Sequence, residues 1–171
     1  ISISSERIQL RIAQERDILK ILEMYFEDDA FKFMNLMQGL DLAQYKSFIE
    51  KKINDNKSGD AFYWIIEMVT CNTFIGAINY SGLAGGTQMQ IGWQVLGKHR
   101  KQGYAQEAAD LALDFLIDKH DVQVVYGLHE QGNNASKKIF ANLEFEELSQ
   151  YYRNGLKFHK YIKRLNKKAQ G

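Results

Sequence analysis

Proline is absent from the 171 residues and cysteine occurs once, as Cys71. No intrachain disulfide and no cysteine-rich zinc site can form from one cysteine, and a reducing, cytoplasmic setting is the expectation. His99, His120 and His159 stand at no metal-ligand spacing with Cys71 or with acids, so no metal site is expected. No window approaches the roughly 20 apolar residues of a membrane span, and the opening residues around Ile1 and Ile3 are too polar for a secretory signal. Neither export nor membrane association is expected. An excess of one charge is also lacking: 22 basic residues face 21 acidic ones, for a net charge of +1. That balance disfavours nucleic acid and anionic lipid as partners. The basic tail Lys163, Arg164, Lys167, Lys168 reads as solvated charge; a small RNA- or ribosome-binding protein would need salt-sensitive binding through it.

What is present is a globular composition, 45% hydrophobic and 25% charged, on a length that suits one domain over residues 1–171. With no proline to mark boundaries, glycine, asparagine and changes of hydrophobic period must serve. Leu10 to Ile12 reads as a short strand, and Ile18, Ile21, Leu22 and Tyr25 recur at helical spacing from about Asp17. Asp41 with Gln44 resembles a capping box opening a second helix, one face of which is marked by Leu42, Tyr45, Phe48 and Ile49 and whose outer face carries Lys46, Glu50 and Lys51. Strands are predicted at Ala61 to Val69, Phe74 to Tyr80 and, after a loop bearing Gly85 and Gly86, Met89 to Leu96. A helix from about Tyr104 to Lys119, a strand at Val122 to Leu128 and a helix at Asn134 to Leu143 follow. Phe145 to Tyr152 and Leu156 to Lys163 flank Asn154 and Gly155, a tight-hairpin dipeptide. The aromatic residues of that hairpin, Tyr151, Tyr152, Phe158 and Tyr161, suit alternating core packing, a substrate wall or a dimer contact. The fold class is α/β (α+β), with its strands in the middle and end of the chain.

Arg100, Lys101, Gln102, Gly103, Tyr104, Ala105 lie between a predicted strand and a predicted helix. Free backbone N–H groups and the positive end of the helix dipole converge at such a turn, which suits a phosphate. Gly103 removes a side chain from the approach, Ala105 keeps the first turn small, and Arg100 and Lys101 add charge. Glycine before a helix is also a routine connection. The glycine spacing and the Lys-Ser or Lys-Thr pair of a nucleotide-triphosphate loop are missing, as is the three-glycine dinucleotide fingerprint. Coenzyme A is the diphosphate left.

An ordered series of segments resembles the GCN5-related N-acetyltransferase superfamily, especially its ribosomal-protein alanine acetyltransferase branch. The series is Leu10-Arg11 with Asp17, Ile75-Gly76, Ile91-Gly92-Trp93, Arg100-x-x-Gly103-x-Ala105 with Glu107 and Ala108, Asn133-x-x-Ser136, and Leu143-x-Phe145. The resemblance implies a central mixed, mostly antiparallel sheet flanked by helices and splayed between the strands at Met89 to Leu96 and Val122 to Leu128. Acetyl-CoA would enter the gap as acetyl donor. Backbone near Val95 and Leu96 would meet the acetyl and pantetheine groups, and Arg100, Lys101, Gln102, Gly103, Tyr104, Ala105 and Gln106 would hold the diphosphate. Asn133 would bond the pantetheine arm, and Ser136 would stand near the sulfur as donor to the leaving thiolate. Asn133 and Ser136 also suit a helix cap. Against this pattern the chain has Gly97 where proline is common, Gln90 for a glutamate, Glu144 for a glycine, and Phe140 for a tyrosine that often serves as general acid.

The resemblance implies acetyl transfer to a primary amine, with a ribosomal or other protein N-terminus expected and a polyamine, antibiotic or small metabolite as the alternative. An α-amine, with a pKa near ~8 against ~10.4 for lysine, demands less help from a base. Glu67 and His129, in or at the end of strands, are the side chains to test as bases, though each also suits a structural role. A homodimer is compatible with the resemblance. The rival from another class is a non-catalytic CoA-binding or interaction module on the same fold, which product formation would separate.

Overall fold

The computed structural model describes residues 2–34, 37–59, 61–82, 87–119 and 121–165. The glycines at 85 and 86, the histidine at 120 and the lysines at 167 and 168 lie outside them. The chain runs β1 (Ser2–Ser4), β2 (Ile8–Ile12), a 3-10 turn (Glu15–Asp17), α1 (Ile18–Tyr25), α2 (Leu42–Asp55), β3 (Ala61–Met68), β4 (Phe74–Gly82) and β5 (Gln88–Val95). A 3-10 turn (Gly97–His99), α3 (Tyr104–Lys119), β6 (Val124–Glu130), α4 (Asn134–Asn142), β7 (Glu146–Arg153) and β8 (Leu156–Arg164) follow. β1 is the element the sequence reading omits; its three residues carry too little pattern.

One eight-stranded sheet takes the order β1-β2-β3-β4-β5-β6-β8-β7, antiparallel except between β5 and β6. The expected mixed, mostly antiparallel α/β sheet is therefore present. β3 is buried on both faces because helices cover both: Phe62, Trp64 and Ile66 point toward α3, Tyr63 and Ile65 toward α1 and α2. Ala108, Ala109 and Ala112 let α3 settle close against the sheet. Asp41 opens α2 with a formed capping box, its carboxylate accepting from Gln44 N at 2.8 Å while Gln44 Oε1 accepts from Asp41 N at 2.9 Å. Asn154 and Gly155 take φ of 52° and 78°, the left-handed pair a tight β7–β8 turn requires.

A charged knot ties β2 to β3 and to the approach to α1. Arg11 donates to both Asp17 oxygens at 2.8 and 2.7 Å and through Nε to Glu67 at 3.0 Å. Burial opposes ionisation of Asp17, but the Arg11 bonds and the Gln14 N–H outweigh it and hold the carboxyl below its ordinary pKa. A carboxylate with a lowered folded-state pKa contributes stability that is complete above the unfolded value, near ~3.9, and is lost as pH falls through the folded one. Asp17→Asn should cost about 2–3 kcal/mol at pH 7. Thermal unfolding at pH 7 and pH 3 should show a steeper acid loss for the wild type than for the variant.

Candidate active site

β5 pairs with β6 only from Gln88–Val124 to Ile91–Gly127, and beyond that point the two strands part. β5 stays paired with β4 as far as Val95–Gly76. Gly127 explains where the separation starts, because the Phe140 ring from α4 rests directly on its Cα, where a side chain would stand. Phe140 also stacks on Tyr161 at 4.7 Å between centroids and meets Trp93 at 5.1 Å, wedging α4 against the point of divergence.

The free edge of β5 is defined by its bonds. Leu96 N donates to Ile75 O at 2.9 Å, so it faces β4 and is committed there. Successive residues of a strand alternate between edges, which turns the Val95 N–H and C=O toward the gap. Arg100 Nε donates to that carbonyl at 3.1 Å, and the N–H faces the open side. Of the expected pair, Val95 turns its N–H toward the gap, whereas Leu96 turns its own to β4.

The turn after β5 has the geometry of an anion cradle. Lys101 and Gly103 adopt φ of 61° and 83°, and Glu107 N donates to Gly103 O at 3.0 Å as α3 begins. The N–H groups of Tyr104, Ala105 and Gln106 therefore have no acceptor within the helix. The side chains divide differently from expectation. Tyr104 is buried with the Arg7 guanidinium 4.6 Å above its ring, so only its backbone faces a ligand. Arg100 pairs with Asp29 at 2.6 Å and Glu27 at 3.5 Å, leaving Lys101 as the exposed cation of the turn. Gln106 accepts from Asn142 Nδ2 at 2.9 Å, joining α3 to α4, and Gln102 Nε2 donates to Lys98 O at 3.3 Å. Arg7, which donates to Gln102 O at 3.1 Å and pairs with Glu107, braces the turn from β2's approach, a long-range role that no local pattern carries.

Two departures from the family pattern acquire reasons. Gly97 keeps an N–H that proline would lack, and it donates to both Glu27 carboxylate oxygens at 3.1 and 2.9 Å. Glu144 takes φ of 62°, the left-handed conformation that a glycine there adopts without strain.

Asn133 caps α4, its side chain accepting from Ser136 N at 3.2 Å. Both residues, with Phe140, line a cleft of about 610 Å³ that reaches from the gap across β4 and β5 to α1 and α2. Its far wall is apolar and aromatic, with Met24, Tyr25, Phe33, Met37 and Phe48, and its floor carries Asn79, Gln90, Gly92 and Gln94.

The proposed bases are separated. Glu67 lies outside this cleft: it accepts from Arg11 and from Gln9 Nε2, and lines a second depression with Asp17 and Asn72. Strand register keeps it there, since Glu67 opposes Gln9 at the far end of β3. His129 does line the cleft, but both ring nitrogens are engaged. Nδ1 lies 3.0 Å from the Glu130 carbonyl, which only accepts, so Nδ1 carries the proton and Nε2 accepts from Tyr161 Oη at 2.9 Å. Burial pushes this imidazole below its ordinary pKa. Ser136, at the cleft wall, is the one proposed catalytic side chain whose hydroxyl has no protein partner among the described residues.

The family model for the acetyltransferase (GNAT) domain matches residues 7–146, most of the chain. The uncharacterized protein YkkB of Bacillus subtilis is 26% identical over 166 residues, covering 95% of this chain and 89% of that protein. Among solved structures, the Salmonella typhimurium acetyl transferase that modifies the N-terminal serine of ribosomal protein L7/L12 superposes with a TM-score of 0.84 at 15% identity, covering 97% of this chain and 100% of the other. Spermidine N-acetyltransferase from Vibrio cholerae, in complex with CoA and spermine, superposes at 0.81 and 14% identity, covering 95% and 98%. With a splayed β5–β6 pair, a glycine turn opening α3 and a family match over most of its length, this chain belongs to the GNAT acetyltransferase family.

Proposed function

We propose that the chain transfers acetyl from acetyl-CoA to an α-amine by direct attack on the thioester, the amine entering from the α1–α2 side of the cleft. The observation that carries this reading is the parting of β5 from β6 after Ile91–Gly127, which leaves the Val95 N–H facing a gap whose outer end is the Gly103 turn. The free N–H groups at the start of α3 and Lys101 suit a diphosphate, and the open β5 edge suits an extended amide-bearing arm, so the residues present fit coenzyme A. When bound, acetyl-CoA supplies an activated acetyl group.

The chain's own residues then hold and polarise. Val95 N–H is the donor best placed for the thioester carbonyl, Asn133 lies beside the path of the pantetheine arm, and the Ser136 hydroxyl donates to the departing thiolate. Phe140 in place of a tyrosine leaves that last task to Ser136 or water. With Glu67 outside the cleft and the His129 lone pair taken, the ammonium proton leaves through water, which an α-amine tolerates better than a lysine side chain. A protein N-terminus is the acceptor that the resemblance favours, with polyamines and small metabolites as its alternatives.

Thiol release from acetyl-CoA, followed with and without an amine, tests the reading. Ser136→Ala should lower kcat by roughly 10- to 100-fold while leaving the KM for acetyl-CoA near the wild-type value. An unchanged kcat removes Ser136 from the chemistry. Tight acetyl-CoA binding with no acetylated product from any amine would favour the non-catalytic CoA-binding module.

A further inference from the structure

Lys52 brings a cation to the cleft, and among the described residues no carboxylate forms a salt bridge with it. Lys52 follows Ile49 by three residues and Phe48 by four, which puts it on the inward stripe of α2. Its Nζ stands 4.7 Å from the centroid of Phe48 and 5.0 Å from that of Tyr63, and donates to Asn79 Oδ1 at 3.5 Å. Asn79 pairs with Gly92, the first residue of β5 beyond the last pair with β6. A Cβ at Gly92 would meet Asn79 Oδ1 at 3.0 Å, so the amide lies directly over the strand. The ammonium is thus held above the place where the sheet opens.

Nothing described on this wall neutralises it. The Tyr25 and Tyr63 phenols are bonded to each other, and burial pushes Tyr25 up to about 12 and Tyr63 well above its ordinary value, so neither supplies an anion. Among the described residues lining the cleft, Glu130 on β6 is the only carboxylate, and burial is the one influence that shifts Lys52. Asp17 is bound to Arg11, and Glu27 to Arg100. Burial pushes the Lys52 ammonium down to about 8, which leaves it mostly charged at neutral pH. A partly buried cation amid aromatic and methionine side chains is costly unless a counter-charge arrives, and the cleft is where a substrate would bring one.

Resting on the acetyltransferase reading above, we propose that Lys52 binds a carboxylate carried by the acceptor. The acceptor is then an α-amine with a carboxylate close to it and an apolar body for the Met24, Phe33 and Met37 side. A free apolar amino acid and a peptide N-terminus bearing an acidic side chain both present that chemistry; a polyamine does not.

The test compares acetyl transfer to phenylalanine, phenylalaninamide, dipeptide amides of phenylalanine followed by glutamate or glutamine, and spermidine. Wild-type kcat/KM should favour a carboxylate-bearing acceptor over its amide by about 10- to 100-fold. Preference confined to the dipeptide pair identifies a peptide acceptor, and preference in the free pair identifies an amino acid. Lys52→Met, which keeps the stem over the two rings, should collapse that ratio toward one, chiefly through KM, and Lys52→Arg should restore most of it. Lys52→Gln serves if the methionine variant unfolds. Equal use of acid and amide, a ratio that survives Lys52→Met, or spermidine as the best acceptor overturns the proposal. So does failure of every carboxylate-bearing acceptor while calorimetry still shows acetyl-CoA bound, which leaves the cofactor assignment standing. Loss of acetyl-CoA binding itself overturns both.

Discussion

Gly103→Glu should reduce acetyl-CoA affinity by about 100-fold or more in a calorimetric titration, with the fold preserved. Two effects act together. A carboxylate at the start of α3 occupies the ground on which the free N–H groups of residues 104–106 point at a phosphate, and it repels the diphosphate while itself taking up the helix dipole. The backbone at φ 83° also strains any side chain, by about 1–2 kcal/mol. Gly103→Ala separates these contributions. A Cβ there approaches only Arg7 Nη2, at 3.5 Å, so alanine introduces the strain without the charge and should lose far less affinity. Wild-type affinity in the glutamate variant would remove the diphosphate from this turn.

A large structural effect is expected at Gly127. A Cβ on this residue would overlap the Cε1 and Cζ atoms of Phe140, a ring 1% exposed and hemmed in by Trp93, Phe145 and Tyr161. Phe140 has nowhere to move without displacing α4 or Tyr161, so Gly127→Ala should cost about 1–3 kcal/mol and lower Tm by about 3–10 °C. Acetyl-CoA affinity should fall too, because Phe140 wedges the strands at the mouth of the gap. Phe140→Leu alone should also destabilise, by opening a cavity. In combination with Gly127→Ala, however, the smaller side chain makes room for the methyl group, and the two losses should add to less than their sum. Strict additivity would show that the ring and the glycine do not meet as described.

Much of this architecture is legible from local pattern. The Asp41–Gln44 box, the Asn154–Gly155 turn and the extent of α3 from Tyr104 to Lys119 are each set by residues within a few positions of one another. The Gly103 turn is legible for the same reason. What is not legible depends on register between distant strands. Glu67 has the residue type of a base, but whether it faces a substrate or Arg11 is decided by how β2 aligns with β3. His129 has the same ambiguity, settled by Tyr161 on β8 at 32 residues' remove. Lys52 carried a usable signal, since a lysine at the spacing of Tyr45, Phe48 and Ile49 interrupts an apolar stripe; attention to the outer-face charges Lys46, Glu50 and Lys51 hides it.

Arg100 and Gly97 belong to the turn beside the diphosphate position, yet both are fastened to the segment after α1, through Asp29 and Glu27, and Gln94 Nε2 holds the Ala30 carbonyl of that segment at 3.2 Å. The same segment continues into Phe31, packed in the core, and Phe33 on the α1–α2 side of the cleft. The proposed donor and acceptor ends of the cleft therefore share one set of ion pairs. A phosphate that drew Arg100 away from Asp29 would slacken the wall proposed for the amine, and an amine that tightened that wall would work back on Arg100. Thermodynamic reciprocity would then require the two ligands to change each other's affinity by the same factor.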